Sequence, residues 1–307
     1  MSDARPIPTP KSENEDSLSG FVYALAAYFM WGFLPLYMKM VAHISPAEVV
    51  AHRILWSLPI AAAIIWALGR TADIRAVIGQ PRMLGMAAVT AALVSVNWGI
   101  YVWAIGSGQA LEAALGYYIN PLFSVALGAF LLGERLNRVQ VLAIAIAALA
   151  VAFLTWETGK LPLVALGLTV SWAAYAFLKK SLPIGPNQGF FLEVLLLSPI
   201  ALVYVIWVQS SGQGHFLTGT AGDTVLLLGC GVVTAVPLMV YANGAKRLRL
   251  STIGIMQYIA PTMIFLTAVL IFKEPFGGIK VIAFPMIWLA LVIYTWGLIR
   301  QARATAS

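Results

Sequence analysis

Three ionisable residues stand inside long apolar stretches of this 307-residue chain: His52, Arg53 and Glu193. A charged group is costly in apolar surroundings, so such residues either pair or snorkel, or have a functional part. The functional part would be a proton relay, with His52 one helical turn from Glu48, or gating or coupling between two states. We expect Arg53 and Glu193 to lie in the outer shell of a helix bundle, at opposite depths, and both interpretations stay open.

A larger group of aromatic and amide side chains lies in similar apolar stretches. In hydrocarbon a hydroxyl, indole or amide needs a partner, so these groups should face the bundle interior or a wet cavity. Aromatic faces with a few amides suit a small amphipathic ligand, such as an amino acid with an apolar side chain. Helix packing is the competing interpretation. The candidate binding residues are Trp31, Asn97, Tyr101, Tyr118, Trp172, Tyr175, Tyr241, Gln257 and Tyr258. Other aromatic residues, including Trp288, are assigned to the membrane surface or to lipid contact.

Two prolines, Pro121 and Pro261, fall in the middle of apolar stretches. Each removes one helical hydrogen bond and frees a carbonyl oxygen, which kinks the helix. The freed carbonyl either serves a ligand or shapes the bundle. The two kinked helices are candidates for moving gates.

The sequence offers little for catalysis or cofactor binding. It contains no Walker-type nucleotide motif, no HExxH or CxxC metal motif and no nucleophile elbow. The three histidines are scattered, and the one cysteine, Cys230, cannot form an intrachain disulfide. We therefore expect no enzyme activity, no metal and no cofactor.

The composition places these residues in a membrane. Hydrophobic residues make up 61% of the chain and charged residues 10%, whereas soluble domains carry about 25% charged residues. Apolar runs without strand-like alternation recur at about 20 residues, the length that spanning helices need. We predict an all-α integral membrane protein with ten transmembrane helices, at residues 19–41, 46–68, 82–107, 110–132, 136–156, 160–179, 187–209, 223–247, 250–272 and 277–299.

The chain also repeats itself at a constant offset of 140 residues. The stretch LEAALGYYINPLFSVALGAFLLGERL reappears as STIGIMQYIAPTMIFLTAVLIFKEPF, which aligns Tyr118 with Tyr258 and Glu134 with Glu274. The two mid-span prolines share this offset, as do the arginine and the glutamate named above. We predict two five-helix repeats, at 19–157 and 158–300, between a disordered tail (1–18) and a short C-terminal tail (301–307).

Lysines and arginines set the predicted orientation. With the N-terminus inside, the outer connectors hold Lys39, Lys160, Lys273 and Lys280, and every other Lys or Arg except Arg53 falls on the inner side. Both termini should then be cytoplasmic, and the net charge of +7 reflects topology rather than nucleic-acid binding. Because each repeat has an odd number of helices, the second is inverted relative to the first. Inverted repeats place a site near the midplane that opens alternately to each side.

Several blocks of the sequence resemble the drug/metabolite transporter superfamily, in its EamA-domain branch of RarD-like and YddG-like proteins. They are WGFLPLYMK, AEVVAHRILWSLP, SVNWGIYVWAIGSGQALEAALGYYINPLFSVALGAFLLGERLNRVQ and YIAPTMIFLTAVLIFKEPF. The resemblance implies two inverted five-helix repeats around a central cavity, formed mainly by the first, third and fourth helices of each repeat. It also implies export of small metabolites, above all amino acids, including aromatic ones.

Residues and resemblance together favour a secondary exporter of amino acids in a bacterial inner membrane, working by alternating access. Asn97, Tyr101, Gln257 and Tyr258 would hold the polar ends of the substrate. Facilitated diffusion is the first choice, because the sequence has no carboxylate near the middle of a span that would indicate proton coupling. Efflux of chloramphenicol-like drugs or other metabolites by proton antiport is the alternative. The expected partners are the substrate and membrane lipid, with no nucleic acid, and the sequence is compatible with a monomer.

Overall fold

The structure is a computed structural model that describes residues 17–71, 74, 79–132, 136–180, 182, 184–245, 247–248 and 250–306. Its helices are α1 (Leu18–Met40), α2 (Pro46–Ala67), α3 (Pro81–Gly106), α4 (Ala110–Leu132), α5 (Arg138–Thr158), α6 (Leu163–Lys180), α7 (Pro186–Ser210), α8 (Ala221–Ala245), α9 (Leu250–Met256), α10 (Ile259–Leu266) and α11 (Lys280–Ala306). The described part of the chain contains no β-strand. Most of the predicted N-terminal tail and Glu134 lie outside the described residues.

The helices have the length and surface of membrane-spanning segments. Eight of the described helices are long and apolar enough to cross a membrane, and two shorter apolar segments, Leu163–Lys179 and Ile259–Ile271, bring the described total to ten. Large apolar side chains such as Phe130 (86% exposed) and Trp156 (89% exposed) point away from the bundle, as residues in contact with lipid do. The prediction of an all-α membrane protein with ten membrane segments is confirmed.

The helix ends fall where the local sequence can satisfy or spare backbone groups. Ser17 caps α1 by accepting a hydrogen bond from the backbone N of Gly20 (3.0 Å), and Asn137 forms a reciprocal capping box with Gln140 at the start of α5. Proline occupies the first turn of α2, α3 and α7, where an N–H group would lack a helical acceptor. The boundaries agree with the predicted spans to within a few residues, except that α11 continues to Ala306 through the predicted C-terminal tail.

The helix pairs that pack together follow the repeat of the sequence. In the first half α1 packs against α8 and α10, and in the second half α6 packs against α3 and α4. Helix α2 packs against α7, and α5 packs against α11. If each helix is replaced by its counterpart in the other half, 140 residues away in the sequence, the same set of helix pairs results. A two-fold relation between the halves requires this. The opposed orientation of the halves stays a prediction.

Backbones approach closely where helices of different halves meet. At Gly116 on α4 an added Cβ atom would lie 2.7 Å from the carbonyl oxygen of Ala165 on α6, and at Gly231 on α8 it would press on the backbone of Trp56 on α2. A side chain at either position would push the two helices apart, so glycine permits these contacts. Thr169 strengthens the first contact by donating to the carbonyl of Gly116 at 2.9 Å.

The ninth membrane segment is interrupted. Helix α9 ends at Met256, α10 begins at Ile259, and a π-helical turn, Thr267–Ile271, follows α10. Pro261 has no N–H to offer the carbonyl of Gln257 four residues earlier, which accounts for a break at this point. Helix α4, in contrast, stays continuous through Pro121. The two prolines at equivalent positions therefore have different effects on their helices.

Candidate functional site

A cavity of about 740 Å³ lies in the middle of the bundle. Its wall includes residues of α1, α3, α4, α6, α8 and α10, together with residues of α2 and α7. The lining continues to Leu182 and Ile184, in the connector between α6 and α7 at the predicted inner end. Among the described lining residues, none belongs to a connector at the predicted outer end. The cavity therefore extends from the centre of the bundle toward the predicted inner end.

Aromatic rings form much of the cavity wall. Tyr28, Trp31 and Tyr241 pack edge-on or tilted against each other, with ring centroids 5.4 to 5.7 Å apart. Elsewhere in the lining, the rings of Trp172 and Tyr175 on α6 lie 5.5 Å apart. Aromatic pairs of this kind hold each other in place and present a large apolar surface. The wall suits the apolar part of a ligand.

Two asparagines place amide groups in the wall. Asn97 on α3 donates through Nδ2 to the carbonyl of Leu168 (3.1 Å) and to Ser171 Oγ (2.9 Å), both on α6. Its Oδ1 is buried and has no hydrogen-bond partner among the described residues. Asn120 on α4 is satisfied in the amide orientation that accepts from Trp172 Nε1 at 3.2 Å and donates to a backbone carbonyl of α6. Asn97 thus keeps one acceptor without a described partner, whereas Asn120 fixes Trp172.

Arg53 lines the cavity, although the residue is 3% exposed. Its Nε donates to Thr234 Oγ1 on α8 at 2.9 Å, and its central carbon lies 4.7 Å from the ring centroid of Trp98, a cation–π contact. In the described part of the chain, Nη1 has no hydrogen-bond partner and no salt bridge includes Arg53. The hydroxyl of Tyr101, another lining residue, is also buried without a described partner. Arg53 therefore faces the cavity and not the outer shell, where we expected it.

Glu193 on α7 is 1% exposed and lies behind the cavity wall. Its Oε1 accepts a hydrogen bond from Lys179 Nζ at 2.6 Å, and its Oε2 accepts one from the hydroxyl of Tyr175 at 3.2 Å. Lys179 and Tyr175 line the cavity, whereas Glu193 is not among the lining residues. The ion pair balances both charges and positions two side chains of the wall. This geometry supports structural pairing of Glu193.

His52 is buried near the predicted outer end and is not among the lining residues. Its Nδ1 accepts a hydrogen bond from Trp56 Nε1 at 2.9 Å, and its ring packs 4.9 Å from that of Phe216. An Nδ1 that accepts this bond carries no proton. Glu48 instead accepts from the backbone N and the Nδ1 of His215, at 2.7 and 2.9 Å. The structure therefore does not join His52 to Glu48 as a relay would require.

Contacts between the halves close the predicted outer end. The carboxylate of Glu274 accepts hydrogen bonds from the backbone N of Ala110 (2.7 Å) and of Leu111 (2.9 Å), at the start of α4. At the same end, the hydroxyl of Tyr37 on α1 donates to the carbonyl of Leu226 on α8. A carboxylate at a helix N-terminus satisfies free N–H groups and interacts favourably with the helix dipole. Glu274 thus ties the connector before α11 to the first half.

The structure brings most of the predicted site residues to the cavity wall. Those that line the cavity are Trp31, Asn97, Tyr101, Trp172, Tyr175, Tyr241, Gln257, Arg53 and Pro261. Those that are not among the lining residues are Tyr118, Tyr258, Pro121, His52 and Glu193.

Tyr118 and Tyr258 pack between helices. The hydroxyl of Tyr118 donates to Thr262 Oγ1 at 2.9 Å, and its ring meets those of Phe284 and Trp288 edge-on. Tyr258 precedes α10 and packs, partly buried, against the same core. Trp288 belongs to this aromatic core and not to the membrane surface, where the sequence placed it.

The lining residues that sequence reasoning missed include Tyr28, Lys179 and Asn187. Tyr28 precedes Trp31 by three residues, a spacing that puts both side chains on one helix face, so it could have been found. Lys179 and Asn187 stand at the ends of predicted spans, where charged and amide groups are ordinary. No signal in the sequence separates them from connector residues.

Known proteins similar to this chain share its architecture. The model of the EamA-like transporter family matches residues 18–156 and again residues 160–296. Protein RarD of Streptomyces exfoliatus is 40% identical over 293 residues, 95% of this chain and 93% of the relative. The chloramphenicol-sensitive protein RarD of Pseudomonas aeruginosa is 30% identical over 291 residues, 94% of this chain and 97% of the relative. One protein of known crystal structure, 20% identical, shares the fold with a TM-score of 0.57 over 92% of this chain and 98% of its own.

The family model matches once in each half, and the relatives are similar over nearly the whole chain. The resemblance inferred from the sequence blocks is confirmed. This multi-pass membrane protein therefore belongs to the EamA-like transporter family.

Proposed function

We propose that the protein is a secondary transporter that exports amino acids, including aromatic and apolar ones, and related small metabolites across the bacterial inner membrane by alternating access. The observation that carries this proposal is the central cavity, whose wall combines aromatic rings with amide, hydroxyl and guanidinium groups. Sites for small ligands have volumes of about 300–1,000 Å³ and are mostly apolar, with a few placed polar groups. An amino acid with an apolar side chain offers both kinds of surface.

The two ends of the cavity fit the inward-facing state of such a cycle. Its lining reaches the predicted inner end, while the contacts of Glu274 and Tyr37 close the predicted outer end. We propose that both termini lie in the cytoplasm. The inner end is then the cytoplasmic end, and this state admits solute from the cytoplasm. Alternating access then requires release of the outer contacts and closure of the inner end around one site. The segments that contain Pro121 and Pro261 are the moving gates in this scheme.

Facilitated diffusion down an outward gradient is our first choice of mechanism. None of the described lining residues is a carboxylate, Glu193 is paired with Lys179, and His52 lies outside the lining. A second candidate is efflux of a chloramphenicol-like drug by proton antiport; the name of the Pseudomonas aeruginosa relative, chloramphenicol-sensitive protein RarD, is the observation that suggests this drug.

Counterflow in liposomes tests the proposal. Purified protein is reconstituted with unlabelled phenylalanine inside, and uptake of labelled phenylalanine is followed with and without that internal pool. An exporter of amino acids gives saturable uptake that the internal pool stimulates. Stimulation by chloramphenicol and not by any amino acid would move the proposal to the drug. Uptake that requires a pH gradient would replace facilitated diffusion by antiport.

Tyr101 is the first residue to alter in this assay. Its hydroxyl is buried at the cavity wall without a described partner, so Tyr101→Phe removes one polar group and keeps the ring. We expect counterflow to fall roughly 10-fold in Tyr101→Phe and further in Tyr101→Ala, with folded protein recovered in both cases. Tyr204→Phe, at a tyrosine outside the lining, is the matched control. Wild-type counterflow in both Tyr101 variants would remove this residue from the site.

A further inference from the structure

The cavity wall holds a cation that no described carboxylate balances. Lys179, the other described cation of the lining, is paired with Glu193 at 2.6 Å. Arg53 takes part in none of the described salt bridges, and its Nη1 is buried without a hydrogen-bond partner in the described part of the chain. A buried charge and a buried donor are both costly when they are left unpaired. An anion in the cavity would satisfy both needs at once.

The surroundings of Arg53 hold its guanidinium in one place. Thr234 Oγ1 accepts from Nε at 2.9 Å, and the central carbon of the guanidinium lies 4.7 Å from the centroid of the Trp98 ring. Thr234 is itself fixed, because its hydroxyl donates to the carbonyl of Cys230 at 2.7 Å. Nε is therefore occupied, while Nη1 has no partner among the described residues, so the guanidinium of this lining residue keeps unused donor capacity for a ligand.

Acceptors without partners lie in the same wall. The Oδ1 atoms of Asn97 and Asn187 are buried and lack hydrogen-bond partners among the described residues. The hydroxyl of Tyr101 is also buried and also lacks a described partner. Buried polar groups in native proteins nearly always have a partner, so a wall with several unused ones indicates a polar ligand or ordered water. A ligand that uses both kinds of group carries an anionic acceptor and a hydrogen-bond donor, and an ammonium group can supply that donor.

The charge of the wall suits a carboxylate. A single guanidinium can pair with one carboxylate through charge-assisted hydrogen bonds. The carboxylate and the ammonium of an α-amino acid match the unused donor and acceptors. Its side chain would then lie against the aromatic rings of Trp31 and Tyr241.

We infer that Arg53 binds the carboxylate of the transported solute, with Asn97 Oδ1 accepting from its ammonium group, and that Arg53 thereby selects carboxylate-bearing substrates. This inference rests on the proposed function of the same cavity, and it names the chemical group of the substrate that Arg53 recognises. It assigns Arg53 to ligand binding and not to gating.

Four related ligands separate the carboxylate from the rest of the solute. Thermal unfolding of the purified full-length protein in detergent is followed with phenylalanine, phenylalanine amide, phenylethylamine and 3-phenylpropionate, since a ligand that binds the folded state raises the unfolding temperature. The wild type should bind phenylalanine and 3-phenylpropionate more tightly than the two compounds without a carboxylate.

Variants at Arg53 then test the residue itself. Arg53→Gln should lower the affinity for phenylalanine and for 3-phenylpropionate roughly 10- to 100-fold, the effect of losing a charged hydrogen bond, while phenylethylamine binds as before. Arg53→Lys should restore part of the preference because it keeps the charge. Arg138→Gln is the matched control, since Arg138 is an exposed arginine at the start of α5, outside the lining.

The possible outcomes distinguish a failure of the inference about Arg53 from a failure of the proposed amino-acid export. Equal affinity of the wild type for phenylalanine and phenylethylamine would overturn the inference without any variant, even if Arg53→Gln failed to fold. An Arg53→Gln variant that loses all ligands equally, or none, would show a structural role and overturn it as well. Binding of 3-phenylpropionate without binding of any amino acid would refute amino-acid export and keep the carboxylate site. No binding of any of the four ligands would overturn both.

Discussion

Glu274→Gln should shift the protein toward a state that is open at the predicted outer end. The carboxylate accepts from the backbone N of Ala110 at 2.7 Å and of Leu111 at 2.9 Å, whereas glutamine keeps one acceptor and turns a donor toward the other N–H. The variant therefore loses one charge-assisted hydrogen bond, about 1.5–3 kcal/mol, and an attraction to the positive end of α4 of about 0.3–1 kcal/mol. Water compensates part of this loss, so we take a net change of about 2 kcal/mol, which shifts the equilibrium roughly 30-fold.

A single cysteine in the cavity reports this shift. Ile264 on α10 lines the cavity and is 3% exposed, and the chain's own Cys230 is fully buried. Spheroplasts that carry Ile264→Cys, with or without Glu274→Gln, are treated with a membrane-impermeant maleimide, which reaches the thiol from outside. When opening is fast relative to labelling, the rate follows the open fraction. We expect Glu274→Gln to raise the labelling rate roughly 30-fold.

Glu157→Gln is the matched control for this experiment. Glu157 is an exposed carboxylate near the end of α5, at the same predicted end of the bundle. It should leave the labelling rate of Ile264→Cys unchanged. An unchanged rate in Glu274→Gln, or an equal rise in Glu157→Gln, would refute the argument that Glu274 closes the outer end by holding the start of α4.

Two further predictions concern stability. Glu193→Gln leaves Lys179 without its carboxylate partner. Breaking a buried ion pair lowers the free energy of unfolding by about 3–5 kcal/mol. Because Lys179 keeps 19% side-chain exposure, we expect a decrease of about 3 kcal/mol. Thermal unfolding in detergent should show this loss, and combining Glu193→Gln with Lys179→Met should recover much of it; no recovery would contradict the pairing argument. Gly116→Ala places a Cβ 2.7 Å from the carbonyl oxygen of Ala165, and overpacking of this kind costs about 1–3 kcal/mol. Its unfolding temperature should fall below that of Gly99→Ala, where a Cβ meets nothing within 4 Å, and equal temperatures would contradict the close approach of α4 and α6.

The helices could be predicted because each span carries its own signal. A run of about 20 apolar residues is enough to place a membrane helix, and α2, predicted at residues 46–68, is found at Pro46–Ala67. The direction in which each side chain points carries no comparable signal. Tyr101 and Tyr118 look alike in the sequence, yet Tyr101 lines the cavity while Tyr118 reaches Thr262 on another helix. Rotation of a helix about its axis depends on its neighbours, and these come from distant parts of the chain.

Arg53 shows how an argument from pseudo-symmetry can mislead. The offset that relates it to Glu193 suggested equivalent surroundings and thus an outer-shell position for both. The packing of α2 against α8 brings Thr234 to its Nε, and Arg53 lines the cavity. Equivalent backbone positions therefore have different environments once their side chains differ in length and charge.

This difference in charge bears on the direction of transport. Lys179, in the last turn of α6 at the predicted inner end, is balanced by Glu193, whereas Arg53 lies in the half of α2 nearer the predicted outer end and is balanced by no described carboxylate. A carboxylate solute that enters from the inner end therefore passes a neutral pair before it meets an unpaired charge. Under our proposal for Arg53, the strongest attraction lies on the side of the site nearest the contact between Glu274 and α4. In the export cycle that we propose, opening that contact would let water reach this side of the site and weaken the ion pair between Arg53 and the substrate, where the substrate would leave.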